Sequence, residues 1–556
     1  NVRGDNDELE EAAREFNGHA FSLTLLGSYL DEVLYGDIRR RNEIENLFDE
    51  TRHGDNAQNM IAAYEKWLGD GIELAVLRLL GLFDRPADAE SLSALRAVPA
   101  IPGLTEALQN LSGVKWRQAV AKLRRIKLLG AASANEPDTV DAHPLVREHF
   151  KQQLKRERPE AWREANNRLY EYLKQSAKEL PDTIEEMAPL YAAVSHGCAA
   201  GRHQEALDAV YWQRIQRRNE AFSIRNLGAF GADLAALSGF FEILWEKTVA
   251  KLTDDFKSYA LGEAGYYLRA LGRLQEAAQP MEVGLRVRSA IKNWKNAAVI
   301  ANNLSELHLT IGDLPQALML AKESVELADR SGDKFWRLAS RTALADALYQ
   351  AGHTEEAAAA FREAEVFQKQ SQPEYPILYS LQGFLYCDLL LGQGQAQEVK
   401  DRGQKVLKWR LPSDPLLDMA LDNLLLGQAW LLEAQQAGRG DTTQAAEFLQ
   451  CAVDVLRQAG TAHHLPRGLL ARAALHRFTG DYVRAERDLA EVLRIATRGP
   501  MGLHLADYHL ESARLHLAQG NQDKARDHLA TAKEMIERMG YHRRDNEVNE
   551  LEQQLG

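Results

Sequence analysis

"IGDLPQA", residues 311–317, sets a glycine at a helix end and an alanine five residues later, and the pairing returns along the chain. Copies read "AGRHQEA" (200–206), "LGRLQEA" (271–277), "AGHTEEA" (351–357), "TGDYVRA" (479–485) and "QGNQDKA" (519–525). The glycines at 272, 312, 352 and 392 lie 40 residues apart, as do those at 480 and 520, with a looser copy, "QAGRGDTTQAAEFL" (436–449), between them. Glycine lets one helix turn tightly into the next, and the small alanine lets paired helices approach closely. Neither helix of such a pair can bury its apolar stripe alone, so neighbours must stack into a solenoid.

The rest of the chain agrees with a fold dominated by α-helix. Ala, Leu, Glu, Arg and Gln recur at helical spacing, and the alternation expected of strands is nearly absent. At 556 residues the chain could hold three or four cores, at ~150 residues per domain, unless a repeat array absorbs the length. Apolar content of 45% and charged content of 26% fit a soluble globular protein. A net charge of -13 argues against indiscriminate binding of nucleic acid or anionic membrane. No apolar run approaches the ~20 residues that span a bilayer. Cys198, Cys387 and Cys451 are far apart, form no ligand pair, and read as small core residues of a protein in a reducing cytoplasm. The acidic, amphipathic start "NVRGDNDELEEAAREF" is unlike a signal peptide and lacks an initiator methionine, so we expect a C-terminal part of a longer polypeptide.

The first third is organised differently. "AAREFNGHAFSLTLLGSYL" (12–30) is an apolar-faced helix interrupted at Asn17-Gly18, followed by a polar link and the buried helix of "YEKWLGDGIELAVLRLLGLFDRPAD". "WRQAVAKLRRIKLL" (116–129), a loop and "DAHPLVREHF" (141–150) complete a compact unit. Helices followed by two short apolar segments, "LLGAA" and "TVDAHPL", give the order of a winged-helix domain, with the two segments as its wing. The expected division is 1–50, a small helical domain and linker; 51–155, the winged helix; 156–260, divergent helical repeats; and 261–556, the regular array.

The repeat resembles the tetratricopeptide repeat in a long variety, with ~40 residues per unit rather than 34. With the first third, the order of elements resembles the C-terminal half of a STAND (NB-ARC or AP-ATPase) signalling NTPase of bacterial type. There an ATPase domain leads into a small helical domain, a winged helix and sensor repeats. "NGHAFSLTLLGSYL" is similar to the glycine-x-proline-leucine element that packs beside adenine, with Gly18 matching and Ala20 standing where proline is usual. "DAHPLVREHF" resembles the histidine motif whose side chain reaches the β-phosphate of ADP, a role that falls on His143. The resemblance implies ADP or ATP in the parent protein, contacted by His143, Gly18 and Ala20 only beside an upstream ATPase domain. It also implies an oligomer on activation. No G-x-x-x-x-G-K-[ST] occurs, so the chain itself is expected to hold no nucleotide-cradling loop, no cofactor and no enzyme activity.

Several residues invite sharper readings. His143 and His149, six apart, would lie ~240° apart around one helix and cannot chelate a metal together. Pro144 at a first helical position makes His143 a helix cap, which stands beside the phosphate-sensing role, while His149 reads as solvated. "HH" at 463–464 has no cysteine or carboxylate at ligand spacing and reads as a loop between repeat helices, so no metal is expected. The basic run Lys115, Arg117, Lys122, Arg124, Arg125 and Lys127 lies where DNA-reading winged helices are basic. Acidic residues nearby favour an intramolecular face over DNA.

In tetratricopeptide superhelices the first helix of each pair lines the concave groove. Counting back from the turn glycines gives Asn302, Asn303, Glu306, Thr342, Asp346, Tyr379, Gln382, Tyr386, Arg467, Arg477, Glu511 and Arg514 as ligand-groove candidates. Asn303 matches the asparagine that holds a ligand's backbone in peptide-binding arrays, its amide donating and accepting at once. The lysines of a carboxylate clamp are missing, which argues against an acidic C-terminal peptide. The expected function is a ligand-sensing, autoinhibitory module whose groove binds a protein or peptide, with defence or other signalling as output. A free-standing scaffold and a repeat-regulated transcriptional regulator are the alternatives.

Overall fold

The computed structural model describes residues 2–44, 56–133, 135–411, 413–438 and 440–556. The boundary expected at 50/51, and part of the polar link around it, lie outside the described residues. The chain divides into two compact units, one formed by 1–179 with 188–206 and the other by 180–187 with 207–556.

The first unit contains α1 (Asn6–Glu15), α2 (Ala20–Val33), α3 (Asn56–Leu68), α4 (Ile72–Leu80), α5 (Ala89–Arg96), α6 (Gly113–Arg125), α7 (Pro144–Glu157) and α8 (Pro159–Ser176). It also takes in α9 (Ile184–Ala199) from residue 188 and the one-turn α10 (His203–Glu205). The α4 sequence "IELAVLRLL" is apolar nearly all round, and seven of its nine residues are buried, as a helix at the centre of a core requires. Around it pack Tyr64, Leu123, Val146 and Phe150. The two segments expected to form a wing meet through one antiparallel bridge, Leu129 with Ala142, and Val140 of the second also bridges Ala87, which follows α4. On α6, Lys122 pairs with Glu73 at 2.8 Å and Arg125 with Glu32 at 2.5 Å, so part of the basic run is turned onto this unit's own carboxylates. His149 is not solvated as expected: it is half-buried on α7, with Nε2 3.4 Å from Glu65 Oε2, because α3 packs across that face.

The second unit opens irregularly, with a π-helical segment (Ala206–Ile215), α11 (Phe222–Arg225), α12 (Phe230–Ser238) and a hairpin of β1 (Phe241–Ile243) and β2 (Lys247–Thr248). Seven helix pairs follow among the described residues. They are α13 (Asp254–Ala270) with α14 (Leu274–Ala290), α15 (Trp294–Ile311) with α16 (Leu314–Ser331), α17 (Lys334–Gln350) with α18 (Thr354–Ser371), and α19 (Ser380–Gly392) with α20 (Ala396–Leu407). Then come α21 (Leu416–Gln436) with α22 (Thr443–Gln458), α23 (Leu465–Phe478) with α24 (Tyr482–Arg498), α25 (Gly502–Ala518) with α26 (Gln522–Met539), and the closing α27 (Asp545–Leu555). The fold is an all-α solenoid of tetratricopeptide type. The repeat alanines Ala277, Ala317, Ala357, Ala485 and Ala525 are all fully buried where paired helices touch, as their size requires.

One turn differs from expectation. Gly394, at φ +76°, makes the left-handed turn of the fourth pair, whereas Gly392 is the last residue of α19. Gly392 serves a different purpose: a Cβ there would collide with the Tyr349 hydroxyl, so its missing side chain admits the tyrosine. Of the cysteines, Cys198 and Cys387 are buried, but Cys451 is exposed on α22 rather than in the core.

The array winds far enough to meet itself. Ala462 N–H donates to the Ala270 carbonyl at 2.7 Å, joining the loop before α23 to the end of α13. At the α15–α25 crossing a Cβ on Gly502 would fall on the Ile311 carbonyl oxygen, a backbone atom that cannot swing aside. Gly502→Ala is therefore expected to destabilise the array by about 1–3 kcal/mol in urea unfolding, through overpacking. Gly231→Ala, where nothing lies within 4 Å of the added carbon, should cause no loss.

Candidate functional site

Closure of the array forms a cavity of about 610 Å³, open to solvent on one side, between its early and middle repeats. Of the groove candidates, Asn302, Asn303, Glu306, Tyr379 and Gln382 line it. Asn302, Asn303 and Glu306 reach it because i, i+1 and i+4 share one side of α15. The wall also carries Phe335 and Trp336, packed edge to face at 5.3 Å, and Tyr259, Tyr266 and Phe230.

The polar groups here are incompletely satisfied. Asn302 Oδ1, Thr461 Oγ1, Arg269 Nε and His464 Nδ1 are buried without a hydrogen-bond partner, and neither ring nitrogen of His463 makes one. Such groups cost about 1–3 kcal/mol each when buried unpaired, so each calls for a water or ligand atom in the cavity as its partner. Arg269 forms an ion pair with one carboxylate oxygen of Glu306, and the other lies 3.6 Å from His464 Nε2. Burial pushes the Glu306 carboxyl up, but Arg269 and its cationic neighbours outweigh it and hold the acid below its ordinary range. Burial drives His464 down to about 3 and His463 well below the ordinary imidazole value, so both rings are neutral. Glu263, deep in the same wall, is pushed up to about 7 by burial.

The sequence offered no route to His463 and His464 as partners of Glu306. Their ligand atoms all lie within 4.8 Å of one another. The pair stands in a loop, as read, yet that loop is buried because its backbone docks on α13, and the carboxylate comes from a helix more than 150 residues earlier.

A second, smaller cavity of about 190 Å³ lies among the later repeats, lined by Arg467, Glu511 and Arg514 from the groove candidates and by Asp388, Arg543, Arg544 and Glu547. It is walled by ion pairs. Arg543 donates to both oxygens of Asp388 at 2.5 and 2.8 Å, Arg544 to Asp507 at 2.8 Å, Arg477 to Glu511 at 2.6 Å, and Arg514 to Glu547. The remaining candidates line neither cavity. Thr342 is buried and donates to the Ala339 carbonyl, Asp346 accepts from Gln350 at 2.7 Å, and Tyr386 stacks on Phe361 at 4.9 Å. Arg477 is spent on Glu511.

In the first unit, the two motifs singled out by sequence converge. Asn17 and Gly18 are both left-handed, at φ +50° and +65°, and turn the chain so that His19 caps α2, accepting from Ser22 N–H at 3.3 Å. Ala20 is then the first residue of α2, a position where proline is tolerated. His143 caps α7 in the same way, with Nδ1 accepting from Leu145 N–H at 3.3 Å, and its ring stacks on Phe21 at 3.7 Å and 13°. The cap assigns the proton to Nε2, which leaves that N–H as a donor on an exposed residue. Burial, with the nearby His19 and Arg147, lowers the His143 pKa and keeps that ring neutral.

Comparison with known proteins adds one family match. Residues 296–366, from α15 into α18, match the family model for the tetratricopeptide repeat. No curated protein matches. Among solved structures, the chain is similar to a Signal Transduction ATPase with Numerous Domains (STAND) protein with a tetratricopeptide repeat sensor from Pyrococcus horikoshii. Identity there is 13%, covering 92% of this chain and 71% of that one, with a TM-score of 0.37. It is also similar to a Rap protein complexed with competence and sporulation factor, at 11% identity over 70% of this chain and 94% of that one, with a TM-score of 0.29. At those scores neither likeness carries an argument about function. The class, a tetratricopeptide-type helical-repeat protein, rests on the chain's own repeats and the match at 296–366. No described helix is long and apolar enough to cross a membrane.

Proposed function

We propose that the chain is a ligand-sensing regulatory module whose repeat array binds a peptide or an extended protein segment in the 610 Å³ cavity. The observation that carries this reading is the set of unpartnered buried polar atoms on Asn302, Thr461, Arg269 and His464, gathered on one aromatic-lined cavity. An extended backbone offers the alternating donors and acceptors that such groups lack, and Phe335 and Trp336 offer faces for an apolar side chain. Asn303→Ala and Trp336→Ala should each weaken binding of a cavity-selected peptide about tenfold or more, read by titration calorimetry. Binding unchanged in both variants would remove the cavity from the mechanism.

We further propose, for the first unit, coupling to the ADP or ATP state of an associated ATPase domain. His143 is the residue that would read the phosphate. Two helix N-termini, those of α2 and α7, are brought together by the Phe21–His143 stack, and helix N-termini favour anionic groups. The capped, neutral His143 fits a phosphate oxygen through its Nε2–H, so capping and sensing are compatible roles of one ring. A ligand in the array must then bind the active arrangement better than the ADP-held one, and shifts the balance by that difference alone. His143→Ala in a polypeptide that includes the ATPase domain should raise basal signalling and speed ADP release. The lost cap should cost only about 1 kcal/mol of stability. Unchanged ADP release would count against the role.

A further inference from the structure

Glu306, His463 and His464 meet on the wall of the 610 Å³ cavity, from α15 and from the loop before α23. We propose that these three side chains form a binding site for a divalent transition-metal ion of the zinc type, with its remaining coordination positions open to the cavity.

The geometry favours an ion over a hydrogen bond. Glu306 Oε1 and His464 Nε2 are 3.6 Å apart, too far to bond each other. Two ligand atoms each about 2.1 Å from one tetrahedral ion stand roughly 3.4 Å apart, close to the Glu306–His464 separation, and with all three ligand atoms within 4.8 Å a small turn of the His463 ring completes the set. The second carboxylate oxygen is held by Arg269, which fixes Glu306 as a one-oxygen ligand and orients it from behind. His463 brings two ring nitrogens without a hydrogen-bond partner, on a side chain only 4% exposed. Two nitrogens and one oxygen from a carboxylate suit zinc and its borderline neighbours rather than calcium or magnesium, which take oxygen ligands. The nearby guanidinium groups of Arg269 and Arg467 oppose a cation, and Glu306 offsets one of them. Three protein ligands leave an open position, which is the pattern of a site where a ligand's own donor atom completes the coordination. The proposal concerns the ion alone and does not depend on the peptide reading.

The last full repeat holds a competing group, His509, His516 and His528, in which His509 Nδ1 and His528 Nδ1 are 2.9 Å apart. It is half-buried on the array surface and must be separated from the proposed site. The test uses the full chain, stripped of metal and titrated with Zn²⁺ by calorimetry and with Co²⁺ by visible absorption. The expected result is one tightly bound ion per chain in His509→Gln/His528→Gln. In that same background, Glu306→Gln and, separately, His464→Asn should weaken binding 10-fold or more. Helical circular dichroism of each metal-free variant identifies any that fails to fold, and the other variant then decides. Absence of a bound ion in the His509→Gln/His528→Gln background would overturn the proposal, as would affinity unchanged by a folded Glu306→Gln or His464→Asn variant.

Discussion

Replacing Arg543 by methionine is expected to cost the repeat array about 3–5 kcal/mol, because it strands a buried carboxylate. Arg543 follows α26, yet its guanidinium holds both oxygens of Asp388 on α19, donates to Gln350 at 3.2 Å and lies 4.3 Å above the Tyr349 ring. Both charged side chains are nearly sealed, at 12% and 13% exposure, so water cannot replace the lost partner. Burial alone would push the Asp388 carboxyl up, and Arg543 instead holds it below the ordinary range. The same pair bridges repeats about 155 positions apart and so secures the closure on which the cavities depend. Urea unfolding followed by tryptophan fluorescence measures the loss. Adding Asp388→Leu to Arg543→Met should restore most of it, since removing both charges leaves nothing stranded. A single variant as stable as the parent would mean that the later repeats do not close onto α19.

The second large effect is a dependence on pH that resides in Glu263. Burial pushes its carboxyl up to about 7, the nearby Asp233 adds to this, and Tyr267 and Arg225 act in the opposite sense. The folded state therefore holds a proton that the unfolded chain has already released above its ordinary carboxyl value of 4.5. Stability is unaffected below about pH 4.5, falls as pH rises through 7, and carries the full penalty above about 8, up to about 3 kcal/mol. Glu263→Gln removes the charge and keeps the shape. It should match the parent at pH 4 and exceed it by about 1–3 kcal/mol at pH 8 in the same unfolding assay. Equal stability at both values would show that water solvates the carboxylate inside the cavity. Because Glu263 lines that cavity, ligand binding should also change between pH 6 and 8 in the parent and not in the variant.

The repeat architecture was legible because its signals are local. Gly312 and Ala317 report a turn and a close approach within five residues, and five of the repeat alanines sit fully buried where the pattern put them. The Gly392 reading failed for the complementary reason. Its spacing of 40 was right for a turn, but the requirement it meets is set by Tyr349 of another repeat, and Gly394 makes the turn. Groove residues were readable as a face and not as a site. Helical periodicity brought Asn302, Asn303 and Glu306 onto one side of α15, while superhelical closure decided which candidates meet. That closure sends Arg467, Glu511 and Arg514 to a separate ion-paired cavity and buries Thr342 and Tyr386 elsewhere. His463 and His464 were dismissed for want of a nearby carboxylate in sequence, and the carboxylate arrives through a contact between distant repeats. Exposure of Cys451 and partial burial of His149 likewise depend on neighbours that single-helix patterns do not name.

The central claim is that the 610 Å³ cavity, rather than the array's outer surface, recognises an extended peptide. It is tested most directly by selecting displayed random peptides against the full chain and measuring the affinity of the survivors for the parent, Asn303→Ala and Trp336→Ala. The account predicts peptides that bind the parent and lose about tenfold or more of their affinity in both variants. Peptides that bind all three proteins equally would place recognition outside the cavity and contradict it.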